Sequence, residues 1–171
     1  MQDRRQEIVS WEEVERLGVH LLPQFETEFD LILAISPNGI VPGGLLSKAM
    51  GLERVLTAQV DFPAETDEGK SKLFSWPNFL HFPRKEYLEE KHILVVNNAW
   101  GTGRITRAVQ KRVESMGGTP YTCVLHFNPY KNLLKCEPDY YGAITDAYII
   151  YPWEIDWGGP NRVLLENGGR G

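Results

Sequence analysis

Two short apolar runs set most of what this chain can fold into. FDLILAI, Phe29 to Ile35, and HILVV, His92 to Val96, each lead into a turn-rich loop and then a helical pattern. Apolar runs of this length suit strands buried on both faces, the condition found in parallel sheets covered by helices. The spacing around them fills in the rest. Ser10 and Glu13 form an S-x-x-E capping box, with Val14, Leu17 and Leu21 at helical spacing before Pro23. Ser36 to Pro42 reads as a loop, Gly43 to Met50 as a helix stopped by Gly51, and Arg54 to Val60 as a second strand. A helix is predicted from about Arg104 to Met116, with apolar face Ile105, Val109, Val113 and Met116 and with Gly117-Gly118 as its stop. Tyr121 to Phe127 and Ala147 to Tyr151 complete the strands. The fold class is therefore α/β, an open, mainly parallel twisted sheet with helices on both faces, expected as one domain over residues 1–171.

Between these elements lie two segments of different character. Residues 61–72 (DFPAETDEGKSK) are charged and carry a proline and a glycine, and read as a mobile loop. Leu73 to Phe82 follows with Phe74, Trp76, Phe79 and Phe82, and Pro77 within it and Pro83 directly after it argue against a central strand. With Trp153 and Trp157, these aromatics suit core packing or a protein interface. The Gly-rich tail from Pro160 is expected to fray.

Composition narrows the function classes. The chain has 171 residues and a formal net charge of −5, which argues against nucleic acid as the main partner. No apolar run reaches the roughly 18 residues that span a bilayer, and the charged start has no signal-peptide core, so membranes are not expected and the cytoplasm is the default location. Cys123 and Cys136 read as free thiols, and His20, His81, His92 and His126 share no metal-ligand spacing. Gly69-Lys70-Ser71 imitates the end of a P-loop, but Ala64 stands where a glycine is required.

In an open parallel sheet, ligands bind at the carboxyl ends of the strands. The loop Asn97 to Gly103 is the informative one there. In HILVVNNAWGTGRI, the Gly-Thr-Gly turn brings successive N–H groups and a helix N-terminus toward one point, an arrangement that suits an anion. Arg104 and Arg107 lie in the first helical turns, where the macrodipole disfavours cations by a few tenths to about 1 kcal/mol each unless an anion is bound.

This segment resembles the phosphoribosyl-pyrophosphate motif of type I phosphoribosyltransferases. ILAISPNGIVPGGLLSKAMGL is similar to that family's pyrophosphate loop and helix. TDAYIIYPWEID, PDYYG and the SWEEV opening resemble its xanthine/hypoxanthine branch, which acts in purine salvage. The resemblance covers about residues 8 to 157 and implies a small hood beside the sheet, a homodimer, phosphate contacts at Gly101, Thr102, Gly103 and Arg104, and a base held near Trp153. The departures fall on the chemistry. The two acids that would engage ribose and magnesium are Asn97 and Asn98, and the proton-transfer acid is Gly101. A later phosphate threonine is Ile105. The pyrophosphate-loop arginine and glycines become Pro37, Asn38 and Gly39, and the purine-contacting lysine is Asn128. Asparagine brings no charge to a divalent cation, and an arginine's bidentate grip on phosphate is lost. The expectation is a phosphoribosyltransferase-like protein with catalysis lost or greatly reduced, binding a nucleotide, a phosphorylated small molecule or a protein as a regulatory or assembly factor. The alternative is an active purine-type transferase using magnesium, with Asp61, Glu65 or Asp67 as replacement acids.

Overall fold

The computed structural model describes residues 5–62 and 76–154. Residues 63–72 of the loop expected over 61–72, the aromatic Phe74, the false P-loop and the tail from Pro160 lie outside the described residues, whereas Asp61 belongs to a strand.

The main sheet has six strands: β2 (Leu31–Ile35), β3 (Val55–Asp61), β4 (Asn78–His81), β5 (His92–Trp100), β6 (Thr119–Phe127) and β7 (Tyr140–Ile144). Their order is β4-β3-β2-β5-β6-β7, parallel throughout except for β4, which pairs antiparallel on β3 at one edge. The prolines around β4 are thus accommodated where a missing donor costs least. A separate two-stranded parallel sheet joins β1 (Gln6–Ile8) to β8 (Tyr148–Ile150) and forms the hood.

The two unbroken apolar runs occupy the centre of the main sheet, and their side chains alternate between two cores. On one face Ile32, Leu94, Val96, Cys123 and Leu125 pack against Val14 and Leu21 of α1 (Trp11–Leu21) and Leu46 of α2 (Ile40–Met50). On the other face Leu31, Leu33, Ile35, Ile93 and Val95 meet Val109 and Val113 of α3 (Arg104–Ser115). Each fully buried aliphatic side chain contributes roughly 1.5–3 kcal/mol. The capping box is formed in full: Ser10 Oγ accepts from the Glu13 N–H, and Glu13 Oε2 accepts from the Ser10 N–H at 2.7 Å. Gly51 ends α2 in the left-handed region.

Four expectations are corrected. The second helix begins at Ile40, not Gly43, so the last residues of the expected loop form its first turn. Strand β5 continues through Trp100, because Asn97 and Asn98 turn their side-chain carbonyls onto the next backbone N–H while the strand keeps its register with β6. In α3 the buried positions are Thr106, Val109 and Val113, and Ile105 is exposed, so the apolar stripe is rotated from the one expected. The segment Ala147 to Tyr151 does not join the main sheet; its β8 pairs with β1, and the last strand of the main sheet is β7. Among the described residues no helix is long and apolar enough to cross a membrane.

Candidate functional site

A cavity of about 280 Å³ opens at the carboxyl ends of β5 and β6. Its walls come from four places in the chain. The turn after β2 supplies Asn38; the end of β5 and the following turn supply Asn98, Trp100, Gly101 and Thr102; the end of β6 supplies His126, Asn128 and Lys131; and the segment from Thr145 to Glu154 closes the last side. Five of the expected site positions, Asn38, Asn98, Gly101, Thr102 and Asn128, therefore meet around one space.

The turn that carries Gly101 to Gly103 is shaped by a buried indole. Gly103 caps α3 with φ of 80°, and a Cβ there would collide with Trp100 Nε1 and lie 2.7 Å from Cε2. Trp100 is itself fixed, 1% exposed and donating from Nε1 to Asn132 Oδ1 at 3.2 Å. Gly101 is different, since a Cβ there would meet nothing within 4 Å. The first turn of α3 contains no acid. The N–H groups of Gly101, Thr102 and Gly103 have no acceptor among the described residues, whereas Ala99 N–H is taken by Asn98 Oδ1 at 2.6 Å and Arg104 N–H reaches Thr102 Oγ1 at 3.5 Å.

The other expected positions do not line the cavity. Asn97 is buried beneath it, donating to Thr106 Oγ1 at 3.4 Å and accepting from Asn98 N–H. Gly39 is required by close approach, because its Cβ would collide with the Val96 carbonyl oxygen and lie 2.8 Å from Ile35 N and O. The N–H groups of Gly39 and Ile40 bond to Ile35 and Pro37 carbonyls, so this loop keeps few donors for an anion. Arg104 lies over the Phe62 ring, 4.3 Å from its centroid. Trp153 stacks on Tyr151, with centroids 4.7 Å apart and planes 12° apart, and touches Trp11; its buried Nε1 has no partner among the described residues. Asn128 lines the cavity with its Oδ1 engaged by the N–H groups of Tyr130 and Lys131.

Sequence reasoning passed over the most ordered polar group here. The Tyr151 hydroxyl donates to the Asn98 carbonyl at 2.9 Å, and the same oxygen lies 2.9 Å from His126 Nδ1. A carbonyl only accepts, so the single phenol proton points to Asn98 and the imidazole must donate from Nδ1. His126 Nε2 is then a bare acceptor. It has no bond to the described residues, and His126 is among the residues that line the cavity. Burial pushes the imidazole down to about 4, against the opposing pull of the nearby Glu13 carboxylate, and raises the Tyr151 phenol well above its usual range. Nothing in the spacing of the four histidines marks His126; its position two residues before Asn128 at a strand end was the available signal.

No protein-family model matches the chain, and no curated protein matches it in sequence. Solved structures do match in fold. A purine phosphoribosyltransferase from Pyrococcus horikoshii Ot3 aligns with TM-score 0.72 and 22% identity over 88% of this chain and 95% of that one. A hypothetical protein from Neisseria gonorrhoeae with bound ppGpp aligns with TM-score 0.74 and 18% identity over 90% and 92%. The Helicobacter pylori xanthine-guanine-hypoxanthine phosphoribosyltransferase aligns with TM-score 0.72 and 18% identity over 89% and 96%. The fold is that of the type I phosphoribosyltransferases.

Proposed function

We propose that the cavity at the carboxyl ends of β5 and β6 binds a nucleotide or another phosphorylated small molecule, and that phosphoribosyl transfer is lost or greatly reduced. The observation that carries this reading is the chemistry of the walls. Among the described lining residues the only carboxylate is Glu154, and its Oε2 accepts the Tyr151 N–H at 3.0 Å. The remaining polar groups are amides, hydroxyls, one imidazole and Lys131, which suit hydroxyls and phosphate oxygens.

Magnesium does not fit this donor set. Asn97 and Asn98 carry no charge, and each side-chain oxygen already accepts a backbone N–H. Among the described residues no group of three His, Cys, Asp or Glu could hold a metal ion. Asp61 ends β3, is exposed and does not line the cavity, while Glu65 and Asp67 lie outside the described residues. The phosphate subsite would be Gly101, Thr102 and Gly103 with Arg104 beside it, and the sugar would lie against Asn98. A cytoplasmic regulatory or assembly role accompanies this reading. A homodimer is supported by the outer edge of β4 and by Leu80, 56% exposed upon it.

One observation favours an active transferase instead. His126 lines the cavity, and its imidazole, held neutral by burial, could take a proton from a bound base. The two readings separate in a paired assay. A thermal-shift screen over phosphoribosyl pyrophosphate, purine nucleotides and inorganic phosphate should find a stabiliser; at 100 times its Kd the gain is about 2.7 kcal/mol. For a chain of this size that is a rise of roughly 5–10 °C. Pyrophosphate release with magnesium and purine bases should stay far below ordinary turnover of about 1–10³ s⁻¹. Turnover in that range selects the transferase, and no stabilisation by any of these compounds removes the binding reading.

A further inference from the structure

We propose that the apolar groove between α1 and α2 is the docking site of this chain's own C-terminal segment, with Val163, Leu164 and Leu165 seated in it. The groove is a different space from the cavity at the strand ends, and the proposal does not rest on what that cavity holds.

The groove has a volume of about 520 Å³ and runs between the two helices that cover one face of the main sheet. Val14, Leu46 and Leu125 are buried at its floor, while Trp11, Val19 and Leu45 on its rims are 54%, 65% and 48% exposed. Gly18 helps to keep it open. Glycine is a poor choice inside a helix, and a Cβ on Gly18 would meet nothing within 4 Å. Large apolar side chains gathered around one open space are stabilised by a cover that takes them out of water.

Position, reach and composition together name the occupant. Trp153 packs on Trp11 with ring centroids 5.8 Å apart, so residues 155–171 follow on from a side chain that touches the groove's wall. The chain between residues 62 and 76 departs from the other face of the sheet, where Phe62 meets α3. Val163 comes nine residues after Glu154, which allows a span of up to about 30 Å, against roughly 16 Å for the 11 residues of α1. Val163-Leu164-Leu165 is the longest apolar run between Ile155 and Gly171, and it stands between Arg162 and Glu166. The charged residues of the described lining are Glu12 and Glu15, both on α1, while Lys48 lies one turn beyond Leu45 on α2. Arg162 and Glu166 carry the charges that match those two walls. A tether this short holds the segment at millimolar effective concentration, so a modest apolar contact suffices to fill the groove.

The test uses the full chain. Cys136→Ser leaves the buried Cys123 as the remaining native thiol, and Val19→Cys is then combined with Leu164→Cys under mild oxidation. A disulfide needs Cα atoms within about 7 Å, so its rate of formation reports the contact. The internal bond should form about tenfold or more faster than in the control pair Val55→Cys with Leu164→Cys, at a rate unchanged by dilution. Adding Gly18→Leu, which fills the groove with a good helix former, should slow it about fivefold or more; Leu45→Gln takes its place if that variant loses its far-UV circular dichroism or melting temperature. In a second experiment, a labelled peptide of residues 158–171 should bind the full chain carrying Leu164→Asp and Leu165→Asp about tenfold or more tightly than it binds the parent, whose own segment competes. Equal rates for the two cysteine pairs, disulfide-linked dimers in place of the internal bond, no slowing by either groove variant, or a peptide that binds parent and variant equally well overturn the proposal.

Discussion

Gly101 and Gly103 stand two residues apart in one turn, yet the structure separates them sharply as sites for substitution. Gly103→Ala places a side chain at φ of 80°, which costs an L-residue about 1–2 kcal/mol. It also drives a methyl into the Trp100 indole, whose nearest atoms are Nε1 and Cε2, the latter 2.7 Å away. Trp100 is buried and tied to Asn132, so it has little room to yield, and overpacking of this kind costs typically about 1–3 kcal/mol. The two effects relieve each other in part as the turn shifts, so a loss of about 3 kcal/mol is expected. Gly101→Ala meets open space, and its expected effect lies within about 0.5 kcal/mol of zero or slightly favours the fold by restricting the unfolded chain. Urea unfolding followed by tryptophan fluorescence measures both. A loss below about 1 kcal/mol for Gly103→Ala, or equal losses for the two variants, would refute the reasoning. The contrast bears on function, because Gly101 is where the resemblance places an acid. The backbone there accepts a side chain, so the missing acid is not a steric necessity.

Other outcomes follow from the same contacts. His126 has a folded-state value of about 4 against an ordinary 6.5, so the unfolded chain binds more protons between those values and stability must fall as pH drops from about 6.5 to 4. The loss approaches about 3 kcal/mol, and His126→Gln should flatten stability against pH across that window. Tyr151→Phe leaves the Asn98 carbonyl and His126 Nδ1 without their partner and should cost about 1–3 kcal/mol in chemical unfolding, with the imidazole proton signal changed in NMR. Ser10→Ala removes one half of the capping box and should cost about 0.5–2 kcal/mol by the same unfolding measurement. The combined variant Asn97→Asp, Asn98→Asp, Gly101→Asp and Pro37→Arg should bind magnesium-phosphoribosyl pyrophosphate more tightly in calorimetry; no gain in a folded variant means that the site is misplaced. Light scattering at micromolar concentration should give a dimer mass.

The parts of the fold that could be read in the chain are those whose signal is local. The runs through Leu31–Ile35 and His92–Val96, the S-x-x-E cap of α1 and the glycine stops need only neighbouring residues to be interpreted. The end of β5 could not be read this way. Asn97 and Asn98 look like loop residues, and they remain in a strand because their amides cap their own backbone while β6 supplies the ladder. β7 carries no clean alternation, with YYGAI half-buried on both faces, and β1 is three exposed residues that become a strand only when β8 lies beside them. The site shows the same division. Gly101 and Thr102 could be picked out from the Gly-Thr-Gly turn at a strand end, and Asn98 and Asn128 through the family resemblance, but the Asn98–Tyr151–His126 chain joins residues 53 and 25 apart in sequence, and no short-range pattern encodes it.

The pairing of β1 with β8 also governs when the cavity can exist. Residues 6–8 have no strand partner until residues 148–150 have been made, so β1 waits, its backbone groups solvated, while all the strands of the main sheet are made. The six-stranded sheet needs nothing after Ile144 and can close first. Tyr148, Ile149 and Tyr151, which wall the cavity, arrive with the same late segment that captures β1. A chain halted near residue 145 would thus hold a folded sheet with an open-sided site, and ligand binding would report synthesis of residues 148–151 rather than formation of the core.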